Sequence, residues 1–223
     1  MDHFWLFLDT FWTLFEHFLA LFLSFTDPFF ISFERYTHVF DLTRQERASR
    51  PAFLEGTGSL VLDRAHRIAY VAISERSDLN LARRWAKLMQ YELVTFTARD
   101  EKQRVIYHTN VMMAIGTGVA VVCLECVTDP EERSRLKSSI ESSGLVIVDI
   151  SQEQVNHFCG NVLELEHWRG YPVMVMSTQA YNAFTPAQRE TILQYEHDII
   201  HADIATIERI GGGGVRCAIA ELF

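Results

Sequence analysis

Three residues of reactive type, Glu55, His108 and Cys217, stand at matching places in a repeated pattern. The repeat is carried by Gly58-Ser59-Leu60-Val61-Leu62, Asn110-Val111-Met112-Met113, Asn161-Val162-Leu163-Glu164-Leu165 and Gly214-Val215-Arg216-Cys217-Ala218. These align at Ser59, Val111, Val162 and Val215, in steps of 52, 51 and 53 residues. Glu55 lies four residues before its anchor, His108 and Cys159 three before theirs, and Cys217 two after. Units of this size that cannot each bury their apolar face must stack or close in a ring, and a ring brings equivalent strand starts to one axis. An acid, an imidazole that can move a proton and a thiol that can attack carbon would then meet as a chemical constellation.

Each residue also has a plainer reading. Glu55, in Leu54-Glu55-Gly56-Thr57-Gly58, suits a turn, and His108, in Tyr107-His108-Thr109-Asn110, suits a strand cap. Cys217 suits a buried core, the commonest place for cysteine. Against that stands the run Gly211-Gly212-Gly213-Gly214: four of the chain's 11 glycines gather just before Cys217, where the backbone must approach something closely or expose its N–H groups.

Each period reads as strand, turn, strand, helix, strand. In the first unit Ser59 to Asp63 and Arg67 to Ala72 are β-rich, Leu79 to Met89 has helical spacing and Leu93 to Thr97 is β-rich again. The second has Val111 to Ile115, Val119 to Leu124 around Gly116-Thr117-Gly118, a helix over Pro130 to Ser143, and Leu145 to Ile150. The third has Val162 to Leu165, Pro172 to Met176, a helix from Pro186 to Tyr195 capped by Thr185, and Ile199 to Ile204. A closing strand is expected over Gly214 to Leu222.

The 223 residues include 48% hydrophobic and 22% charged side chains, enough for a sizeable core. Lys and Arg total 20 against 29 Asp and Glu, a net charge of −9 that offers phosphate backbones no electrostatic footprint, so no nucleic-acid partner is expected. Cys123, Cys126, Cys159 and Cys217 are expected as free thiols in a reducing, cytoplasmic setting, because a chain this long needs no disulfide staples.

Residues 1 to 40 are a different material. They hold 11 of the 16 phenylalanines, and no Lys or Arg occurs before Arg35. Phe4, Phe7, Phe11, Phe15, Phe18, Phe22, Phe25 and Phe29 recur at helical spacing, with Asp2, Asp9, Thr13, Glu16, Ser24 and Asp27 as a narrow polar stripe. A secretory signal would need a positive start, and a spanning helix about 20 apolar residues. Here Asp9, Glu16 and His17 interrupt the run, leaving Phe18 to Leu23 as its longest apolar stretch. The expectation is a hydrophobic or amphipathic helix packing on its own core, a partner or a membrane surface. A shifted reading frame would give such a segment too. Residues 41 to 223 then form the folded domain.

The runs Leu-Glu-Gly-Thr-Gly-Ser at 54 to 59, His-Thr-Asn at 108 to 110, Gly-Asn-Val-Leu-Glu-Leu at 160 to 165 and Gly-Gly-Gly-Gly-Val-Arg-Cys at 211 to 217 resemble the guanidino-group-modifying superfamily. The likeness is to its arginine deiminase-related branch, with citrulline utilisation hydrolases and amidinotransferases, over about 41 to 223. It implies an α/β fold of the pentein type, a β/α propeller of ββαβ modules, of which about three and a closing strand are legible here. It also implies Cys217 as nucleophile, His108 as general acid and base, and Glu55 as a carboxylate clamping the guanidinium. Asn110, Asn161 and Gly214 would complete the substrate-binding set for a small guanidino or ureido compound. No cofactor is implied. Where arginine deiminases carry His-x-Asp, this chain has Asn110; a neutral amide cannot pair a charge, which favours a ureido substrate such as citrulline or a different guanidine. An amidinotransferase passing the group to an amine is the rival within enzymes. A truncated, non-catalytic or membrane-associated homologue is the rival outside them, because the early modules of the family have no counterpart in residues 1 to 40.

Two motifs are read as structural. Cys123-Leu124-Glu125-Cys126 has metal-site spacing but no second pair, and it falls in a strand of core character. His197 and His201 lack the glutamate of a zinc-binding helix, so no metal is expected there.

Overall fold

The computed structural model describes residues 51–219; the expected N-terminal helix and the boundary near residue 41 lie outside them. Three three-stranded sheets follow one another, each with the same order and sense. The first comprises β1 (Val61–Asp63), β2 (Ile68–Ala72) and β3 (Glu92–Phe96), the second β4 (Met113–Ile115), β5 (Val119–Val122) and β6 (Val146–Asp149), the third β7 (Leu163–Glu166), β8 (Pro172–Ser177) and β9 (Asp198–Ala202). The first pair in each sheet is antiparallel and the second parallel, with Val61 opposite Tyr70 and Ala72 opposite Phe96 in the first sheet. The period of about 52 residues is therefore a ββαβ module. The middle strands Ile-Ala-Tyr-Val-Ala and Val-Ala-Val-Val are buried at every position, which is why they read as unbroken apolar runs rather than alternating ones.

The parallel pairs need crossovers, and helices supply them. One turn, α1 (Gly56–Ser59), precedes β1, and the first crossover is α2 (Leu79–Met89). The second is α3 (Pro130–Ser142), and the third holds α5 (Thr178–Ala183) and α6 (Pro186–Ile192). Their starts follow from local chemistry. Asp78 and Asp129 accept two backbone N–H groups each at their helix N-termini, and Thr185 and Gln188 form a reciprocal capping box. Pro130 and Pro186 occupy the first helical turn, where their missing N–H costs nothing.

The modules are joined by one device used twice. The helix of the later module lies over the third strand of the earlier one: α3 packs on β3, and α6 on β6. At the first joint Glu132 Oε2 accepts the Thr97 N–H at 2.7 Å, and at the second Gln188 Nε2 donates to the Asp149 carbonyl at 2.8 Å. The inner strands β1, β4 and β7 then lie side by side in turn. One core runs through the joints with Tyr70, Phe96, Met112, Met113, Leu136 and Ile140 inside it, and a smaller one under α2 holds Leu54, Leu60, Leu81 and Trp85.

Several sequence expectations need correction. The repeat anchors at Ser59 and Val111 end a helical turn, α1 and the 3-10 turn Thr109–Val111, and the strands start two residues later. The expected closing strand over 214 to 222 is likewise a helical turn where described, α8 (Val215–Ala218), tied down by the Cys217 N–H to Asn161 Oδ1 and the Arg216 N–H to the Asn161 carbonyl. Cys123 and Cys126 fall beyond β5 rather than within it, because the chain turns into the 3-10 segment Leu124–Cys126 once Asp149 Oδ1 accepts the Leu124 N–H. Their expectation as buried structural thiols matches their zero exposure, with the two Sγ atoms 2.9 Å apart. Helices α4 (Gln152–Asn156), α5 and α7 (Ala205–Gly211) were not legible at all; they are short, and short turns lack the periodicity that betrays longer helices.

Candidate active site

Short helical turns carry the three residues, two of these turns directly before the inner strands β1 and β4. Glu55 stands at the start of α1, His108 directly before the Thr109–Val111 turn, and Cys217 within α8. Side chains knit the first two turns together. Thr109 Oγ1 donates to the Ser59 carbonyl at 2.6 Å and accepts the Ala72 N–H at 2.8 Å, while Ser59 Oγ accepts the Glu55 N–H at 2.8 Å and donates to the Arg76 carbonyl at 2.9 Å. Only glycine fits at 58, since a Cβ there would lie 2.8 Å from the His108 ring.

Glu55 Oε2 meets His108 Nε2 at 2.6 Å and Arg76 Nη2 at 2.6 Å. The carboxylate and imidazole are nearly buried, at 8% and 11% side-chain exposure, so this pair is shielded from solvent screening. Burial pushes the Glu55 carboxyl up, but hydrogen bonds and charge from His108 and Arg76 outweigh it and hold the group below the usual carboxylate range. Arg76 also lies over the Tyr107 ring, 5.1 Å from its centroid. Burial raises the Tyr107 hydroxyl, with Cys217 and Glu55 adding to the effect and Arg76 opposing it, so this phenol is within electrostatic reach of all three. Arg76 and Tyr107 were missed by sequence reasoning. Tyr107 directly precedes His108, but nothing in Ser74-Glu75-Arg76-Ser77 signals a partner 21 residues back.

Cys217 is exposed and seated by amides. Asn161 Nδ2 points at its Sγ from 3.2 Å, and Asn161 Oδ1 accepts the Cys217 N–H at 3.3 Å. The same Nδ2 donates to the Asn110 carbonyl at 2.8 Å, while Asn110 Nδ2 lies 3.8 Å from Sγ. Asn110 Oδ1 is buried without a hydrogen-bond partner among the described residues. Glycine is required at 213 and 214, where a Cβ would lie 2.7 Å from Cys217 Cβ and 2.9 Å from Asn161 Oδ1. Gly214 thus packs on Asn161.

The sequence-derived residues accordingly form two contacting sets, Glu55 with His108, and Cys217 with Asn110, Asn161 and Gly214. Cys159, at the matching position of the third module, stands apart: it is buried, its Sγ donates to the Ala180 carbonyl at 3.5 Å, and burial pushes its thiol up to about 12. A cavity of about 160 Å³ lies among the inner strands and borders Thr57, Asn110, Val162 and Arg216. A larger hollow of about 260 Å³, bordered by Tyr181, Arg189, Leu193 and Asp198, touches none of these residues. Among the described residues no three His, Cys, Asp or Glu side chains are grouped to hold a metal ion, and no helix is long and apolar enough to cross a membrane.

The repeated ββαβ modules, with an acid and an imidazole at the turns before β1 and β4 and a thiol in α8, place the chain in the pentein class of guanidino-modifying enzymes. Within that class the chain belongs to the eukaryotic N,N dimethylarginine dimethylhydrolase family, whose model matches residues 29–223. Among solved structures it is similar to apo ArgZ, an arginine dihydrolase from the ornithine-ammonia cycle in cyanobacteria, at 16% identity over 91% of this chain and 27% of that one, with a TM-score of 0.63. The N-terminal domain of ArgZ bound to its product matches at 16% identity over 91% of this chain and 62% of that one, TM-score 0.62. AgrE with ornithine and NAD+ matches at 16% over 91% and 25%, TM-score 0.63. The chain thus spans about a quarter of the full-length structures and 62% of the isolated domain. No curated protein matches it closely enough in sequence to count as a relative.

Proposed function

We propose that this protein is a thiol-dependent hydrolase of C–N bonds in small guanidino or ureido compounds, arginine, methylated arginines and citrulline among them, working on a pentein-type propeller. The observation that carries the reading is the pairing of a solvent-shielded Glu55–His108 contact with an exposed Cys217 seated by two amides. Cys217 adds to the guanidinium carbon as thiolate, and His108, held by Glu55, gives its proton to the departing nitrogen as the C–N bond breaks. An S-linked thiouronium remains on Cys217. The now neutral His108 takes a proton from water, hydroxide adds to the same carbon, and cleavage of the C–S bond releases the ureido product and the thiolate. Glu55 has its Oε2 committed to His108 and Arg76, so its main part is to orient the imidazole, with Oε1 left as the edge that can face a guanidinium. Asn161 holds the sulfur in place. Asn110, whose Oδ1 is buried and without a partner, accepts a substrate N–H.

The test is release of ammonia and methylamines by the 223-residue chain from arginine, methylated arginines, agmatine and citrulline, beside Cys217→Ser. Release that the variant loses is the expected result. Turnover appearing only when an acceptor amine is added would make the protein an amidinotransferase, and no turnover from a folded chain under either condition would make it a non-catalytic homologue.

A further inference from the structure

A second acidic cluster lies away from the thiol, at the joint of the second and third modules. Glu196, in the segment between α6 and β9, is 2% exposed, and no N–H or O–H group of the described residues reaches either of its oxygens. Beside it is another carboxyl, that of Glu164 on β7. Both converge on Gly116, in the turn between β4 and β5: the position a Cβ would take there is 2.7 Å from Glu196 Oε1, 2.9 Å from Glu164 Oε2 and 3.2 Å from Met174 Cε. Two carboxyl groups are therefore pressed onto one point, with an apolar methyl closing the other side.

The two acids are not equivalent. Glu164 accepts from the Thr117 N–H and, at 3.1 Å, from Thr117 Oγ1. Glu196 has no such donor. Around the pair the turn contributes Gly116, Thr117 and Gly118, β8 contributes Met174, and the Tyr195 ring packs on Gly118. His197, next in the chain, packs tilted against Tyr171, ring centroids 4.0 Å apart. Arg64 and Arg216 border the cavity on the Glu164 side, where Glu164 already has Thr117.

We propose that Glu164 and Glu196 hold one proton between them at neutral pH, and that this proton clasps β7 to the segment before β9 within the third module, at the face where Glu164 meets the 116–118 turn of the second. With the proton on Glu196, its hydroxyl donates to the Glu164 carboxylate and the buried acid gains its missing partner. Without it, two like charges face each other beside a buried, otherwise unpartnered acid. Burial and the neighbouring carboxylate raise Glu196 to about 9, in agreement with this arrangement. The clasp also bears on the thiol, since β7 begins two residues after Asn161, the amide that seats Cys217.

Glu196 is ionised in the unfolded chain above about pH 4.5 and neutral in the folded one up to about 9, so folding takes up a proton throughout that window. Its contribution to stability is complete below the lower value and lost as pH rises through the upper one. Denaturant unfolding of the 223-residue chain and of Glu196→Gln, from pH 5 to 8, tests this without any reference to catalysis. The folding constant of the variant relative to wild type should rise about tenfold per pH unit, the signature of one proton. A ratio that does not change with pH overturns the proposal. Should the glutamine variant fail to fold, infrared spectra of wild type decide: a protonated-carboxyl C=O band at pH 8 that vanishes on unfolding is expected, and its absence from the folded protein overturns the clasp equally well.

Discussion

A carboxylate shared between an imidazole and a guanidinium fixes both, and the lowered Glu55 carboxyl gives that arrangement a pH signature. A depressed folded-state value contributes stability above the ordinary carboxylate range that is lost as pH falls through the folded value. Acid unfolding should accordingly be less steep below about pH 4.5 in Glu55→Gln than in wild type, as read by denaturant melts at stepped pH. Under the proposed mechanism the same variant should lower kcat by at least about tenfold with a smaller change in KM, since an oriented base acts on the chemical step and not on binding. The four thiols should also separate cleanly. Cys123, Cys126 and Cys159 are buried and Cys217 is exposed, so brief iodoacetamide treatment followed by mass spectrometry should find one modified cysteine, at 217. At this scale the sequence put Glu55, His108 and Cys217 forward because the repeat sets them in register. It did not reveal Arg76, whose bond to Glu55 depends on where the chain after β2 returns.

Elements in this chain are decided by local chemistry at their starts and by close approach where they cross. Asp129 accepts the N–H groups of Glu131 and Glu132 at 2.9 Å each, so Asp129→Ala should lower stability by about 1 kcal/mol in a thermal or denaturant melt. Gly160 is a harder constraint: a Cβ there would lie 2.5 Å from the Val111 carbonyl and 2.7 Å from Met112 Cα, both backbone atoms. Gly160→Ala should therefore cost about 1–3 kcal/mol or more, and it should disturb Asn161, the next residue, along with the fold. The long helices were legible almost to the residue, α2 as Leu79–Met89 and α3 as Pro130–Ser142: an acid, or an acid and a proline, marks each start, and α2 adds an apolar face of Leu81, Ala82, Trp85 and Ala86. The one-turn helix Val215–Ala218 was read as a strand, and the strands expected from Ser59 and Val111 took in the last residue of a helical turn. Valine or threonine in each of these turns suits a strand as well, and what bends Val215–Ala218 into a turn is Asn161, more than fifty residues earlier.

Across the whole molecule, stability rests on joints between neighbouring modules. Leu136, fully buried on α3 at the first joint, should cost about 2–5 kcal/mol when replaced by alanine, which a denaturant melt will measure. The third module differs from the others at its far side. Four of the five residues of β9 are exposed, Ile200 among them at 44%, whereas β3 has one exposed residue and β6 two. The reason lies in the joint: β3 is covered by α3 and β6 by α6, and among the described residues no later module follows β9. The similar solved structures are longer than this chain, which spans 62% of the isolated ArgZ domain.

The sequence by itself determined the module: its period, the order of its strands and helix, the caps that start the helices, and the three reactive residues in register. These follow from periodicity and capping, which act over one to four residues and are written locally. Only the tertiary structure decided which partners those residues take. It joined Glu55 to both His108 and Arg76, gave Cys217 its two amides while leaving Cys159 in the core, and pressed Glu164 and Glu196 onto Gly116. Each of these contacts spans tens of residues and depends on how one module is set against the next. That setting comes from side-chain packing at the joints, and no spacing along the chain encodes it.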